Sequence, residues 1–364
     1  MYSARPYFKR SECRVDAAGL PIGETHWRGG NGPLPVSDLP WRHPLCESFI
    51  EGAESLGIPR NPDYNGAEQA GVGYFQRTIH QGWRMSTART FLREAARRPH
   101  LSIRTEAQAT ALTLEGKWVK GVRYQQGGAR GVEKQIGARR EVIVSAGPIN
   151  SAKLLQLSGI GPAALLQQYG IEVLHDLPGV GENLSDHYSV RCVARVKDVV
   201  TINELSRFPR LLGQAWAWLR NQPNILAVSP SLVHVFWKSD ASLNRPDLQG
   251  VFTPASYREG YVGMLDQYPG MTCGFWQHRP WSTGYVRIRS RDPLEAPAIQ
   301  PNYLADERDR AVLIAGVRLA RQLLATQALA PYVVDESIPG PQAQTDADIL
   351  DFIRRYAVSS YHLN

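Results

Sequence analysis

The sequence predicts a mixed α/β protein made of two parts. One is an α/β part over residues 89–190. The other joins residues 1–88 to the chain beyond 190 around a mainly antiparallel sheet. Three observations predict this. Glu141–Ala146 (E-V-I-V-S-A) is continuously apolar apart from its ends, as strands buried in parallel sheets are, and the chain then turns on Gly147 into a helical stretch. Near Val190 the texture changes to alternation (R-C-V-A-R-V-K-D-V-V), the mark of an antiparallel strand. The 25 prolines and 32 glycines call for many turns and argue against a helical bundle.

The elements follow in order. Residues 1–88 are irregular and turn-rich, with one helix at 44–56 carrying Leu45, Phe49 and Ala53 on a stripe. A second helix is expected over Ser86–Arg98, ended by Pro99. A β-rich block comes next, with turns at Gly116, Gly127 and Gly128 and Glu141–Ala146 as its third strand. Ser151 is expected to cap a helix starting at Ala152, which Ser158-Gly159 closes. Beyond Val190 come a tryptophan-rich helix (R-L-L-G-Q-A-W-A-W-L-R-N-Q) and short strands up to Ser290. Residues 304–328 read as a helix with Leu313, Val317, Ala320 and Leu324 on one face. The last helix starts at Thr345, where Asp348 completes a capping box, and buries Ile349, Phe352, Ile353 and Tyr356.

Composition excludes several classes. Apolar residues at 43% and charged residues at 21% describe a folded chain with a sizeable core. The net charge of +7 comes mostly from scattered arginines; the densest run, Arg89–His100, has no interleaved aromatic stripe, so nucleic acid is not an expected partner. The four cysteines show no CxxC spacing, which argues against a zinc site or a redox pair, and no metal is expected. No run reaches the ~18 apolar residues of a membrane span. The N-terminal stretch has no apolar core of a secretory signal, so a cytoplasmic location is expected.

Three glycine motifs remain. Gly159–Ala164 (G-I-G-P-A-A) satisfies G-x-G-x-x-A but follows a helix, so the dinucleotide fingerprint fails its context and an NAD-dependent dehydrogenase is rejected. The other two are the S-A-G turn at Gly147 and D-L-P-G-V-G-E-N-L-S-D-H (Asp176–His187). In this order, S-A-G, then S-G-I-G-P, then the N-L-S-D-H run resemble the glucose–methanol–choline (GMC) oxidoreductases, choline dehydrogenase-like members included. The blocks Tyr7–Glu12, Asp63–Gly73, Gly82–Ala88, Arg279–Pro293 and Ser359–His362 extend the resemblance over essentially the whole chain. Ala152 departs from the family's usual proline, a change expected to weaken that helix start slightly.

The resemblance implies an FAD-dependent oxidoreductase that oxidises an alcohol, hydride passing to the flavin while a histidine takes the hydroxyl proton. It implies a substrate/cap segment over 1–88, the remaining FAD-binding domain over 89–190 and a substrate-binding domain over 191–364. His362 is the expected catalytic base, while Ala146, Gly147 and the strand residue Ala109 are the expected cofactor contacts. His187 is expected to be a structural histidine fixing its turn, and His80, His234 and His278 structural or pocket-lining. The family's N-terminal GxGxxG unit and its C-terminal tail, with a second catalytic residue, are not in these residues. The chain is therefore expected to be an internal fragment, inactive by itself, with Val142–Ala146 exposed as an edge. The partners expected are a small alcohol and an electron acceptor (quinone, cytochrome or O2). Which alcohol, oxidase or dehydrogenase, and the oligomeric state stay open; Trp216, Trp218, Trp237 and Trp276 are read as lining a pocket or filling the core. The alternative is a shortened, flavin-free chain with a binding role.

Overall fold

The computed structural model describes residues 4–229, 231–258 and 263–363. The chain forms two compact units, each assembled from separate stretches.

The first unit comprises Met1–Leu101, Tyr188–Arg279 and Arg310–Val358. Its centre is an antiparallel sheet with the strand order Val333–Ile338, Tyr188–Val196, Gly270–Gln277, Leu248–Thr253, Val233–Trp237, Gly71–Tyr74. Tyr188–Val196 is the alternating segment of the sequence, and it pairs antiparallel on both sides. Gly270–Gln277 is buried at every position, since strands flank it and helices cover it. Gly250 and Gly316 leave room for the ring of Phe275; a Cβ on Gly250 would stand 2.3 Å from that ring. The helix Pro44–Ser55 buries Leu45, Phe49 and Ala53, with Phe49 stacked on Phe252 at 4.2 Å between ring centroids. The helix Asp346–Tyr356 carries the expected Thr345–Asp348 capping box and buries Ile349, Phe352 and Ile353, whereas Tyr356 is 43% exposed. The four cysteines are free thiols, three of them buried. Among the described residues no helix is long and apolar enough to cross a membrane.

The second unit comprises Ser102–His187, Pro280–Asp309 and Ser359–Asn364. It holds the antiparallel meander Ala107–Glu115, Trp118–Gln126, Val132–Gly137, turning at Gly116 and at Gly127-Gly128, all three with positive φ. A second sheet orders Glu182–Leu184, Gly284–Arg287 and Ala298–Gln300. The fully buried Gln156 ties its helix to this sheet. Its amide donates to the Val286 carbonyl at 2.9 Å and the Val180 carbonyl at 3.2 Å, and its oxygen accepts the Ile288 N–H at 2.9 Å.

Three local expectations are corrected. The helix expected at Ala152 begins at Gly147 and runs to Leu157, so Ser151 lies inside it and Pro148 occupies the first turn, where a missing N–H costs nothing. Glu141–Ala146 forms no strand: a ladder needs a partner, none of the described strands pairs with it, and Ile143 is 79% exposed. Ser86–Arg98 is not one regular helix. It is a widened turn at Ala88–Leu92 followed by a single α-turn at Arg93–Ala95, and its basic side chains are in solvent.

Candidate active site

Two loops more than 170 residues apart in sequence meet within the second unit. The first follows Glu182–Leu184 and carries Asp186 and His187; the second carries Ser359, Ser360, Tyr361 and His362. Asp186, 4% exposed, is the hub. One carboxylate oxygen accepts the Ser359 hydroxyl at 2.6 Å and also the Tyr303 hydroxyl; the other accepts the His362 backbone N–H at 3.2 Å. The Ser359 oxygen in turn accepts the Tyr361 N–H at 2.9 Å, and the His187 carbonyl accepts the Ser360 N–H at 2.8 Å. The loop is thus held at four consecutive residues.

Tyr361 has φ +58, a left-handed conformation uncommon for a bulky side chain. The hydrogen bonds around it supply the compensation, and the bend brings the following ring to His187. The two Nδ1 atoms lie 3.1 Å apart, with ring planes at 82°. Two imidazole nitrogens at that distance need one donor and one acceptor, so the contact couples the tautomers of the rings. His362 is exposed and His187 half-buried, which leaves the pair open to solvent on one side.

The expected cofactor positions lie elsewhere in the same unit. Gly147 has φ +79 and nothing within 4 Å of where a Cβ would stand. Ala146 and Gly147 are exposed, and no side chain caps the helix that starts there. Unpaired N–H groups at an open helix start are donors for an anionic group. That donor set and the open backbone fit a cofactor of the flavin dinucleotide type. Ala109 sits half-buried on Ala107–Glu115, opposite Tyr124 and beside a bulge in the ladder.

The sequence reading missed Asp186, Ser359 and Tyr303, and took His187 as structural only. Asp186, His187 and Ser359 lie inside the motifs N-L-S-D-H and S-S-Y-H, so the signal was present as two motifs of unknown proximity. Tyr303 has no sequence signal. Of the other histidines, His234 is fully buried among Tyr64, Phe75 and Phe236, and burial pushes its imidazole down to about 4. His278 bonds the Gln249 side chain at 2.9 Å. Trp276 is buried, Trp218 and Trp237 are half-buried, and Trp216 is 59% exposed.

The comparisons agree on one family. Two models described as GMC oxidoreductase, one N-terminal and one C-terminal, match residues 1–189 and 280–364. The chain belongs to the GMC oxidoreductase family, a family of FAD-dependent flavoproteins. It is 37% identical over 363 residues to an oxygen-dependent choline dehydrogenase of Brucella anthropi, covering 98% of this chain and 63% of that protein. It is 35% identical over 343 residues to an alcohol dehydrogenase [acceptor] of Pseudomonas putida, covering 93% of this chain and 61% of that one. The chain thus spans less than two thirds of the length of these relatives. Among solved structures it resembles a pyridoxine 4-oxidase from Mesorbium loti (TM-score 0.83, 26% identity, 99% of this chain and 65% of that one). A formate oxidase of Aspergillus oryzae shares the fold (TM-score 0.87, 24% identity, 99% of this chain and 67% of that one).

Proposed function

We propose that the chain carries the substrate-side machinery of an FAD-dependent alcohol oxidoreductase, with His362 as the base that takes the hydroxyl proton. The observation that carries the reading is the His187–His362 contact, fixed from below by Asp186. For His362 to accept a proton at Nε2, its own proton must sit on Nδ1, and the His187 Nδ1 lone pair is the acceptor that favours this tautomer. When Nε2 takes the substrate proton, the Nδ1–H bond to His187 persists, so the imidazolium is stabilised without rearrangement. His187 is a positioning residue in this scheme. Asp186 holds the loop, so the imidazole does not have to be ordered anew at each turnover.

Ala146 and Gly147 would hold the flavin dinucleotide by backbone contact, and Ala109 would do the same from its strand, where its side chain is of little consequence. When bound, FAD supplies the hydride acceptor. Choline is the first alcohol to try, given the relatives, and both oxygen and an artificial acceptor belong in the assay because the relatives' names differ on this point.

The test is His362→Ala in the FAD-loaded protein, following anaerobic flavin reduction by a panel of alcohols in stopped flow. Loss of a general base costs about 10²–10⁴-fold in rate. A reductive rate within a few-fold of wild type, with FAD still bound, would show that another group takes the proton.

A further inference from the structure

In the first unit, the helix Arg210–Leu219 buries none of its residues. It is anchored along one side only. The Gln214 side chain accepts the Ile225 N–H at 3.0 Å, and the Trp218 indole donates to the Gly82 carbonyl at 3.1 Å. On the opposite side Leu212, Trp216 and Leu219 recur at helical spacing and are 60%, 59% and 68% exposed, and Phe208, just before the helix, is 80% exposed. Three large apolar side chains on one stripe, with a fourth in the turn before the helix, are not isolated surface residues and call for a partner.

The charge around the stripe selects the partner. No Asp or Glu occurs from Leu205 to Ser239, while Arg207, Arg210 and Arg220 bracket the helix. Arg210 reaches Glu204 at 3.4 Å. Among the described residues Arg207 and Arg220 form no ion pair: Arg207 donates to the Asp266 carbonyl, and Arg220 lies over the Trp216 ring at 5.0 Å. An apolar stripe with an interfacial tryptophan and a rim of unneutralised arginines has the chemistry of a helix that lies in the headgroup layer of an anionic bilayer. A self-association face would put these arginines against one another.

We propose that Arg210–Leu219, with Phe208, is a docking surface for an anionic lipid bilayer, on which it lies without spanning. Its apolar stripe enters the acyl boundary, and Arg207 and Arg220 meet lipid phosphates. The proposal is independent of His362 and of FAD. The experiment is flotation of the 364-residue chain with vesicles of phosphatidylcholine, alone or mixed with phosphatidylglycerol. Binding is expected to the mixed vesicles and to weaken with added salt. It should fall about fivefold for each of Arg207→Gln and Arg220→Gln, and to background in the double variant Leu212→Glu, Trp216→Ser. Trp118→Ser, which removes a 76%-exposed tryptophan from the other unit, should change nothing. Circular dichroism checks that the variants remain folded, as expected for surface substitutions. Absence of wild-type binding, or binding indifferent to the double variant, overturns the proposal. So does a concentration-dependent dimer that the double variant abolishes while vesicles remain unbound, which assigns the stripe to a second copy.

Discussion

Replacing Asp186 by asparagine tests the hub of the site directly. The carboxylate accepts from Tyr303, Ser359 and the His362 N–H while almost fully buried, so solvent screening offers little discount. An amide keeps one accepting oxygen and turns the other position into a donor facing donors. A hydrogen bond to a charged acceptor contributes about 1.5–3 kcal/mol, and hydroxyl rotation recovers part of what is lost. With three bonds disturbed, Asp186→Asn should cost about 3 kcal/mol of local stability. That corresponds to roughly a hundredfold faster amide exchange at Tyr361 and His362. Ser360, whose N–H goes to the His187 carbonyl, should respond less. The assay is native-state hydrogen exchange on the chain, read at these three amides. Tyr303→Phe should cost less alone, and less again beside Asp186→Asn, because the two share one bond. Exchange within a few-fold of wild type at Tyr361 and His362 would refute the idea that this carboxylate orders the loop.

Other outcomes follow from the same structure. Gly147 and Gly181 share a left-handed φ (+79 and +84), but a Cβ on Gly181 would stand 2.1 Å from the Val286 oxygen. Gly147→Ala should therefore cost only about 1 kcal/mol of backbone strain, and Gly181→Ala several times that, by urea unfolding. His234 is held near 4, below its unfolded value of 6.5, so the unfolded chain takes the proton first; stability is full above pH 6.5 and falls by up to about 3 kcal/mol as pH drops towards 4. His234→Phe should flatten that part of the pH–stability profile; an unchanged profile would assign the acid loss to other groups.

The capped helices were legible because cap and stripe are written in consecutive residues. Thr345 and Asp348 sit three apart, and Ile349, Phe352 and Ile353 report one face without knowledge of the rest of the chain. The antiparallel sheet was legible in kind at Tyr188–Val196 but not in order, since strand order depends on contacts across more than 100 residues. Glu141–Ala146 shows the limit of pattern reading. An apolar run states a preference for burial, but a strand exists only where another strand meets its hydrogen bonds. The helix start was misplaced for a smaller reason: Ser151 is a good cap by type, but Pro148 with a left-handed Gly147 starts the helix before it, at Gly147 rather than Ala152.

The same limit explains why the proposed base stood out in the sequence and its support did not. His362 stood out in a short motif near a capped helix, whereas Asp186 acts on it through a backbone N–H and a serine hydroxyl, contacts that no spacing rule encodes. His187 illustrates the consequence. Reading it as a histidine that fixes a turn and reading it as the partner of His362 describe one arrangement, since its carbonyl accepts the Ser360 N–H while its ring meets the other ring. Backbone and side chain of a single residue thus both meet the opposite loop, and in the proposed scheme the ring contact selects which nitrogen of His362 carries the proton. A substitution such as His187→Asn retains the backbone contact and an accepting oxygen but shortens the reach. It should therefore disturb the tautomer of His362, read from the nitrogen NMR shifts of its imidazole, more than the position of its loop, read from amide exchange at Ser360.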